Sequence, residues 1–405
     1  MHFIELLNVT GRDQAGLTAM LTESLAKADV VILDMGQAVI HDFLTLGLLV
    51  RCASDRVAIL DDLAASIMAR GLSVSRTRVS DQDYEAWVAR QGQSRTILTV
   101  LARSISASQL AAISKLVASE GLNIDHINRL SGRIPLLDVG QQTRACLEFS
   151  LRGTPSDMFR EKLMACVSEL DLDAAVQEDG IYRRHRRLIA FDMDSTLINT
   201  EVIDELAKVA GVGDQVQAIT ESAMSGHIDF TESLRQRVSL LKGLDAHCME
   251  DIARALPLTE GAERLFTTLK KLGYKTAIIS GGFTYFGAYL KSILGVDYVI
   301  ANELEMVDGR LTGRVLGTVV DAQVKAEKLK EIAIKENISL AQTIAVGDGA
   351  NDLDMLATAG LGIAYHAKAI VRQNSRHAIS TLGLDSILYL LGISDRDQGM
   401  DSMQA

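Results

Sequence analysis

Residues 188–196 read LIAFDMDST. Leu188, Ile189, Ala190 and Phe191 are apolar in succession, and Met193 resumes the run after one Asp. A short apolar run bounded by polar residues suits a strand buried on both faces of a parallel sheet. In open α/β sheets, ligands bind beyond the carboxyl ends of the strands. Asp192 and Asp194 are therefore expected at a ligand mouth, where Ser195 and Thr196 offer hydroxyls and backbone N–H groups to an anion.

Moving outward, further strand signals fall at 275–280, 298–301, 343–346, 361–364 and 378–380, with helical periodicity between most of them. That alternation predicts an α/β, Rossmann-like doubly wound parallel sheet over 188–394. Asp308-Gly309 between two apolar runs predicts an inserted hairpin. Between 200 and 257 there is helical pattern only. Val202, Ile203, Leu206, Val209 and Ala210 share one helical face, and Thr200 is placed as its N-cap. A helical insertion directly after the first strand would lie over the mouth of the sheet and close on a substrate as a cap.

Upstream, residues 1–84 follow the order β-α-β-β-α-β, the ferredoxin-like α+β arrangement, with the loop GRDQAGL at 11–17. Residues 85–94 read as a linker with Trp87 as its anchor, and 95–178 repeat the same pattern without that loop. Residues 179–187 contain YRRHRR, read as a solvated basic linker, and 395–405 read as a flexible tail.

The chain has 405 residues, 48% of them hydrophobic, and a formal net charge of −11, which argues against nucleic acid as a partner. No apolar run approaches the ~20 residues of a membrane span, and the amino terminus lacks a signal-peptide pattern. Four scattered cysteines, Cys52, Cys146, Cys166 and Cys248, fit buried reduced thiols, so a cytoplasmic location is expected.

Three more segments carry chemistry. SGGF (280–283) combines a hydroxyl with a Gly-rich turn, Lys325 opens the helix KAEKLKEIA, and GDGAND (347–352) supplies Asp348, Asn351 and Asp352. Each follows, or opens onto, the carboxyl end of a predicted strand. A phosphate monoester is dianionic and inert, so its hydrolysis demands charge compensation. Asp192, Asp348 and the backbone carbonyl of Asp194 form an oxygen set suited to Mg²⁺. Lys325, Ser280 and the Gly281 N–H would hold phosphoryl oxygens. One Asp would attack phosphorus, and a second carboxyl would pass a proton to the leaving group and take one from water.

DMDST, SGG, Lys325 and GDGAND together resemble the haloacid dehalogenase superfamily, over about 188–393. The resemblance implies Asp192 as nucleophile and Asp194 as general acid/base. It implies Ser280 and Lys325 on phosphate, Asp348 on the metal, Asp352 supporting the metal shell, and Asn351 on the phosphoryl group or substrate. DMDSTLINTEVIDELAKVAG, ESAMSGHIDFTESLRQRVSLLKGL, SGGFTYF and VGDGANDLDML narrow it to the phosphoserine phosphatase branch. That branch implies O-phospho-L-serine as substrate, Glu201 on its ammonium, Arg237 on its carboxylate, and Met224 and Phe230 covering it. Spacing alone does not choose between Arg237 and Arg235. A phosphatase for phosphothreonine or phosphohomoserine, and an amino-acid sensor on a hydrolase scaffold, are the competing readings. NVTGRDQAGLTAML resembles an ACT domain, which implies a homodimer and an L-serine effector at Gly11, Asp13 and Gly16; Ala15 stands where ligand-binding members often carry Pro.

Overall fold

The computed structural model describes residues 2–133, 143–225 and 227–398, without the side chains of Met224, Ala369 and Gln373. The chain divides into the units Met1–Gln93 and Ser94–Ala405.

In the first unit, β1 (His2–Arg12), β2 (Val31–Ile40), β3 (Phe43–Ala53) and β4 (Ser73–Val79) pair antiparallel in the order β2-β3-β1-β4. Helices Leu17–Ala26 and Val57–Ala69 bury Leu17, Leu21, Leu25, Leu60, Leu63 and Ile67 against one sheet face. That spacing is the period that places side chains on one helix stripe.

In the second unit, β5 (Arg95–Ala102), β6 (Asn123–Arg129), β7 (Ala145–Arg152) and β8 (Asp173–Glu178) form the same topology, β6-β7-β5-β8. Helices Ala107–Ser119 and Phe159–Glu169 cover one face. The other face joins the C-terminal core: Leu101, Leu130, Cys146 and Ala175 are buried in the same cluster as Ile189, Leu384 and Leu388. Polar contacts fix this docking. Asp173 Oδ2 accepts from the N–H groups of Ser380 and Thr381, both at 2.8 Å, and from Thr381 Oγ1 at 2.7 Å. Arg103 grips Glu260 through both Nη atoms, at 2.9 and 2.6 Å.

The C-terminal sheet contains β9 (Leu188–Phe191), β10 (Lys275–Phe283), β11 (Tyr298–Val307), β12 (Arg310–Leu316), β13 (Thr343–Gly347), β14 (Leu361–Tyr365) and β15 (His377–Ile379), ordered β12-β11-β10-β9-β13-β14-β15. All neighbours are parallel except β11–β12. The β11–β12 turn places Asp308 and Gly309 at φ 52° and 73°, the left-handed pair that a tight hairpin needs. β9 is central and wholly buried, as its unbroken apolar run requires. Helices Val202–Ala210, Gly213–Met224, Phe230–Ser239 and Cys248–Ala255 form the insertion after β9.

Four sequence expectations are corrected. Glu201, not Thr200, occupies the N-cap of Val202–Ala210, and the Val202 N–H donates to Asp194 Oδ1 at 3.2 Å. The linker reading of 85–94 meets helix Asp81–Ala89, capped by Ser80. The basic run is solvated only in part: Arg184, His185 and Arg187 are exposed, but Arg183 and Arg186 are buried, Arg183 pairing with Glu148 and Arg186 donating to the Ala341 carbonyl. The expected tail starts tethered, because buried Asp395 accepts from the Gly132 N–H at 2.7 Å and from Arg264 at 2.7 Å; residues 399–405 lie outside the described ones. The cysteines are free thiols, with Cys52 and Cys146 buried and Cys166 and Cys248 half-buried.

Candidate active site

β9 stops at Phe191, and the chain turns at once. The Met193 carbonyl accepts from the N–H groups of Thr196, Leu197 and Ile198 at 3.3, 2.8 and 3.1 Å. Ser195 sits at φ 56°, a left-handed conformation costly for a residue with a side chain. This turn leaves Asp192 and Asp194 at the strand end, both buried. The Asp192 N–H donates to the Val346 carbonyl of β13 at 2.9 Å, which ties the turn to the neighbouring strand.

The far-apart acidic and basic segments converge here. Lys325, fully buried, lies 3.0 Å from Asp192 Oδ1 and 2.7 Å from Asp352 Oδ1. Its helix, Ala322–Lys335, starts at Asp321, whose side chain accepts from the Val324 N–H. Carboxylate oxygens of Asp192, Asp348 and Asp352 lie within 4.8 Å of one another. Packing so many acids together raises them. Asp348 is pushed up to about 7 and Asp352 to about 6, by desolvation first and by Asp192 next. Burial alone would discharge Lys325, but the carboxylates of Asp192 and Asp352 outweigh it and hold the ammonium above its ordinary range. Asp194 is raised well above the carboxylate range by desolvation, then by Glu201 and Asp192.

Above this cluster lies a cavity of about 840 Å³. Its floor includes Asp192, Asp194, Asp348 and the Ser280–Phe283 end of β10. Asn351 lines it too, half-buried, while Lys325 and Asp352 lie beneath the floor. The Gly282 N–H donates to Ser280 Oγ at 3.0 Å, and Asn302 Nδ2 donates to the Gly281 carbonyl at 2.7 Å. The roof comes from the helical insertion. A Cβ on Gly281 would stand 2.7 Å from Phe230 Cζ, so the glycine lets the roof ring approach the floor closely. Arg237 lines the cavity and is half-buried; Arg235, two residues earlier, is exposed and absent from the lining. Desolvation weakens the Arg237 charge, and Glu201 then Asp204 support it. Glu201 faces the same space, raised by desolvation and then by Asp192, and accepts from Ser195 Oγ at 3.0 Å. Met224 ends the Gly213–Met224 helix, and its side chain lies outside the described ones.

A hydrolase motif set, an acidic cluster and a capped cavity thus share one strand end. Residues 189–357 match the haloacid dehalogenase-like hydrolase family, and residues 4–75 match the ACT domain. The chain is 43% identical over 392 residues to the phosphoserine phosphatase SerB2 of Mycobacterium tuberculosis, covering 96% of this chain and 93% of that one. It belongs to the phosphoserine phosphatase family. A phosphoserine phosphatase of Streptomyces coelicolor is 40% identical over 394 residues, 96% of this chain and 92% of that one. The crystal structure of a probable phosphoserine phosphatase from Vibrio cholerae superposes with TM-score 0.58 at 35% identity, over 76% of this chain and 90% of that one. Among the described residues, no helix of this phosphatase is long and apolar enough to cross a membrane.

Two polar side chains of the phosphatase site, Asn302 and Ser233, escaped the sequence reading, and two others, Ser195 and Thr196, were given the wrong partner. Ser195 and Thr196 were expected to face an anion; instead both hydroxyls serve neighbouring carboxylates, Thr196 Oγ1 donating to Asp348 at 3.2 Å. Asn302, buried at the β11 end, bridges Gly281 to the Val320 N–H, which donates to its Oδ1 at 2.9 Å. A lone Asn after the apolar run YVIA was its only signal. Ser233, buried in the roof, lines the cavity with an unpartnered hydroxyl.

Proposed function

We propose that this phosphatase hydrolyses O-phospho-L-serine to L-serine and inorganic phosphate, the final step of serine synthesis, using Mg²⁺. One observation carries the reading: Asp192, Lys325 and Asp348 converge beneath a cavity that also presents Glu201 and Arg237. The donor set fits a hard divalent cation, because three clustered carboxylates face one lysine and two of them are raised, by burial first and by the Asp192 charge next. Asp192, Asp348 and the Asp194 carbonyl would hold Mg²⁺, with Asp352 in support, and the ion supplies charge neutralisation at the phosphoryl oxygens.

The side chains do the rest. The Met193 N–H and Lys325 both hold Asp192 Oδ1, at 2.7 and 3.0 Å, which leaves Oδ2 as the attacking oxygen. It bonds to phosphorus as the bond from phosphorus to the serine oxygen breaks. Asp194, whose carboxyl is raised by burial, delivers a proton to that oxygen, and L-serine departs. Asp194 then takes a proton from water as the water oxygen attacks the aspartyl-phosphate, freeing phosphate and Asp192. Ser280, Gly281, Lys325 and Asn351 hold the phosphoryl group. Arg237 reads the substrate carboxylate and Glu201 its ammonium, while Phe230 and Met224 cover it.

The test is phosphate release from O-phospho-L-serine and from an ester lacking the carboxylate, with and without chelator. Asp192→Asn should lose activity by about 10³-fold or more. Arg237→Ala should raise KM about tenfold or more for phosphoserine, and far less for the truncated ester. Near-normal turnover in Asp192→Asn, or equal shifts on both esters, overturns the assignment.

We also propose a homodimer formed through the first ferredoxin-like unit, with L-serine as effector at its loop. Gly11 lies against Leu72, which a Cβ would approach to 2.5 Å. The Asp13 N–H donates to the Asp42 carbonyl at 2.8 Å. Gly16 starts the Leu17–Ala26 helix at φ 85° with no side-chain cap, leaving helix N–H groups for a carboxylate.

A further inference from the structure

Buried polar atoms without partners are rare in folded proteins, and each one asks for a reason. Among the described residues, eight side-chain atoms are of this kind. Six of them, Arg160 Nε, Gln177 Oε1, Arg183 Nε, Arg186 Nε, Ser375 Oγ and His377 Nδ1, belong to residues lining one chamber of about 600 Å³. It is not the cavity above Asp192. Its walls come from β8 and helix Phe159–Glu169 of the second ferredoxin-like unit, the basic segment 180–186, and the amino-terminal residues of β14 and β15. It therefore opens at the strand ends opposite the phosphatase mouth.

The chamber is strongly cationic. Arg160, Arg183, Arg186 and Arg376 line it against one lining carboxylate, Glu178, which is exposed at the rim. Glu148 pairs with Arg183. Counting both acids, an excess of two positive charges remains, with His377 neutral. The arginines sit close enough to disturb one another: Arg376 opposes the charge of Arg160, Arg183 opposes that of Arg186, and burial is the larger penalty for both. Arg183 and Arg186 are 3% and 9% exposed. Like charges gathered out of water cost stability unless something of opposite sign joins them.

We propose that this chamber is a second anion site, built for the dianionic phosphate group of free phosphate or of a small phosphorylated metabolite. A dianion balances the excess charge. A tetrahedral phosphate offers acceptors in several directions, as guanidinium groups from separate elements and the Ser375 hydroxyl require, whereas a carboxylate offers one plane and one charge. The site also has a route to the chemistry. Leu353 and Leu356 line the chamber from the short helix Leu353–Thr358, which follows directly on Asp352. Occupancy is thereby felt by the helix that trails the GDGAND segment.

The experiment is calorimetric titration of the full chain with inorganic phosphate, at constant ionic strength and in chelator. The chelator removes the divalent cation from the phosphatase cavity, and the arginine variants identify the share of the heat that belongs to the chamber. The variant is Arg160→Gln/Arg376→Gln, which alters the two less buried arginines. One phosphate per chain is expected in the wild type, with affinity at least tenfold weaker in the variant. The variant without phosphate should melt no lower than the wild type, because a repulsion has been removed. Arg376→Gln alone, at an exposed position, gives the same direction if the double variant fails to fold. A succinate titration separates phosphate from dicarboxylates, and a phosphorylated sugar titrated beside inorganic phosphate separates the two sources by relative affinity. Absence of heat in the wild type, unchanged affinity in both variants, or succinate binding as tightly as phosphate overturns the proposal.

Discussion

The two ferredoxin-like units share a strand order and differ at every place where one could meet something else. In the first, the opening helix starts at Gly16, with no side chain to close its end. In the second it starts at Ser106, whose hydroxyl accepts from the Gln109 N–H while Gln109 Oε1 accepts from the Ser106 N–H at 2.7 Å. One terminus is left without a side-chain cap and the other is filled by the chain itself. Their sheets differ in the same sense. β4 has no buried residue, whereas β8, at the same place in its sheet, is buried at five of its six residues. One topology thus serves as an open module in the first unit and as a structural wall of the phosphatase in the second.

The largest test of that contrast is at the residue that opens the last strand of each unit. Asp173 opens β8 and holds three donors of Ser380 and Thr381, just beyond β15; Ser73 opens β4 and is exposed. Asp173→Ala strands two backbone N–H groups and a hydroxyl in a buried interface, at a cost of about 3 kcal/mol. Ser73→Ala should change stability by less than about 0.5 kcal/mol. Urea unfolding of both variants, followed by tryptophan-independent circular dichroism, measures the difference. Similar losses would mean that β8 is no more committed to its neighbour than β4.

His377, which stands across that same interface on β15, gives the next effect. It is 5% exposed and pushed down to about 3, by burial first and then by Arg160, Arg376 and Arg186. In the unfolded chain it titrates near ~6.5. Between those values the unfolded chain binds one more proton than the folded one. The contribution of the neutral ring is therefore full above ~6.5 and is lost as pH falls from there toward 3. From pH 7 to pH 5 that amounts to about 2 kcal/mol. His377→Asn should lessen the acid sensitivity by about this amount, in phosphate-free buffer; parallel pH curves would show that burial of this ring is not what acid attacks.

The catalytic strand end was legible because its signals are local. An apolar run followed by D-x-D, a Gly-rich turn after a second run and GDGAND after a third each mark a strand and its end within a few residues. The docking of the second unit was not. YRRHRR looks like a solvated face because nothing nearby reveals that Glu148 and the Ala341 carbonyl will take up Arg183 and Arg186. Asp395 looked like tail because its partners, Gly132 and Arg264, are more than a hundred residues away. Arg235 and Arg237 are equivalent as letters; only helix phase against the floor makes one a wall of the cavity. Local chemistry wrote the site, and long-range charge pairing wrote its support.

The smallest expected change in stability sharpens the comparison at the sheet edges. β2 and β6 hold the same edge position in their sheets. β6 carries Asp125, His126 and Arg129 in seven residues, the charged pattern that discourages edge-to-edge pairing. β2 carries only Asp34 in ten, and Val31, Ile32, Met35, Val39 and Ile40 are exposed apolar residues along it, with Ile40 81% exposed. A long apolar edge of this kind is where a second copy would add its own strand. Ile40→Lys gives β2 the protection that β6 already has. Because the side chain is in water, the unfolding midpoint should move by less than about 0.5 kcal/mol, and turnover per chain should be unchanged. If the proposed homodimer pairs these edges, sedimentation should shift from dimer toward monomer. A dimer that withstands both Ile40→Lys and Phe43→Lys would place the contact elsewhere, and the openness of the first unit would then need a different occupant.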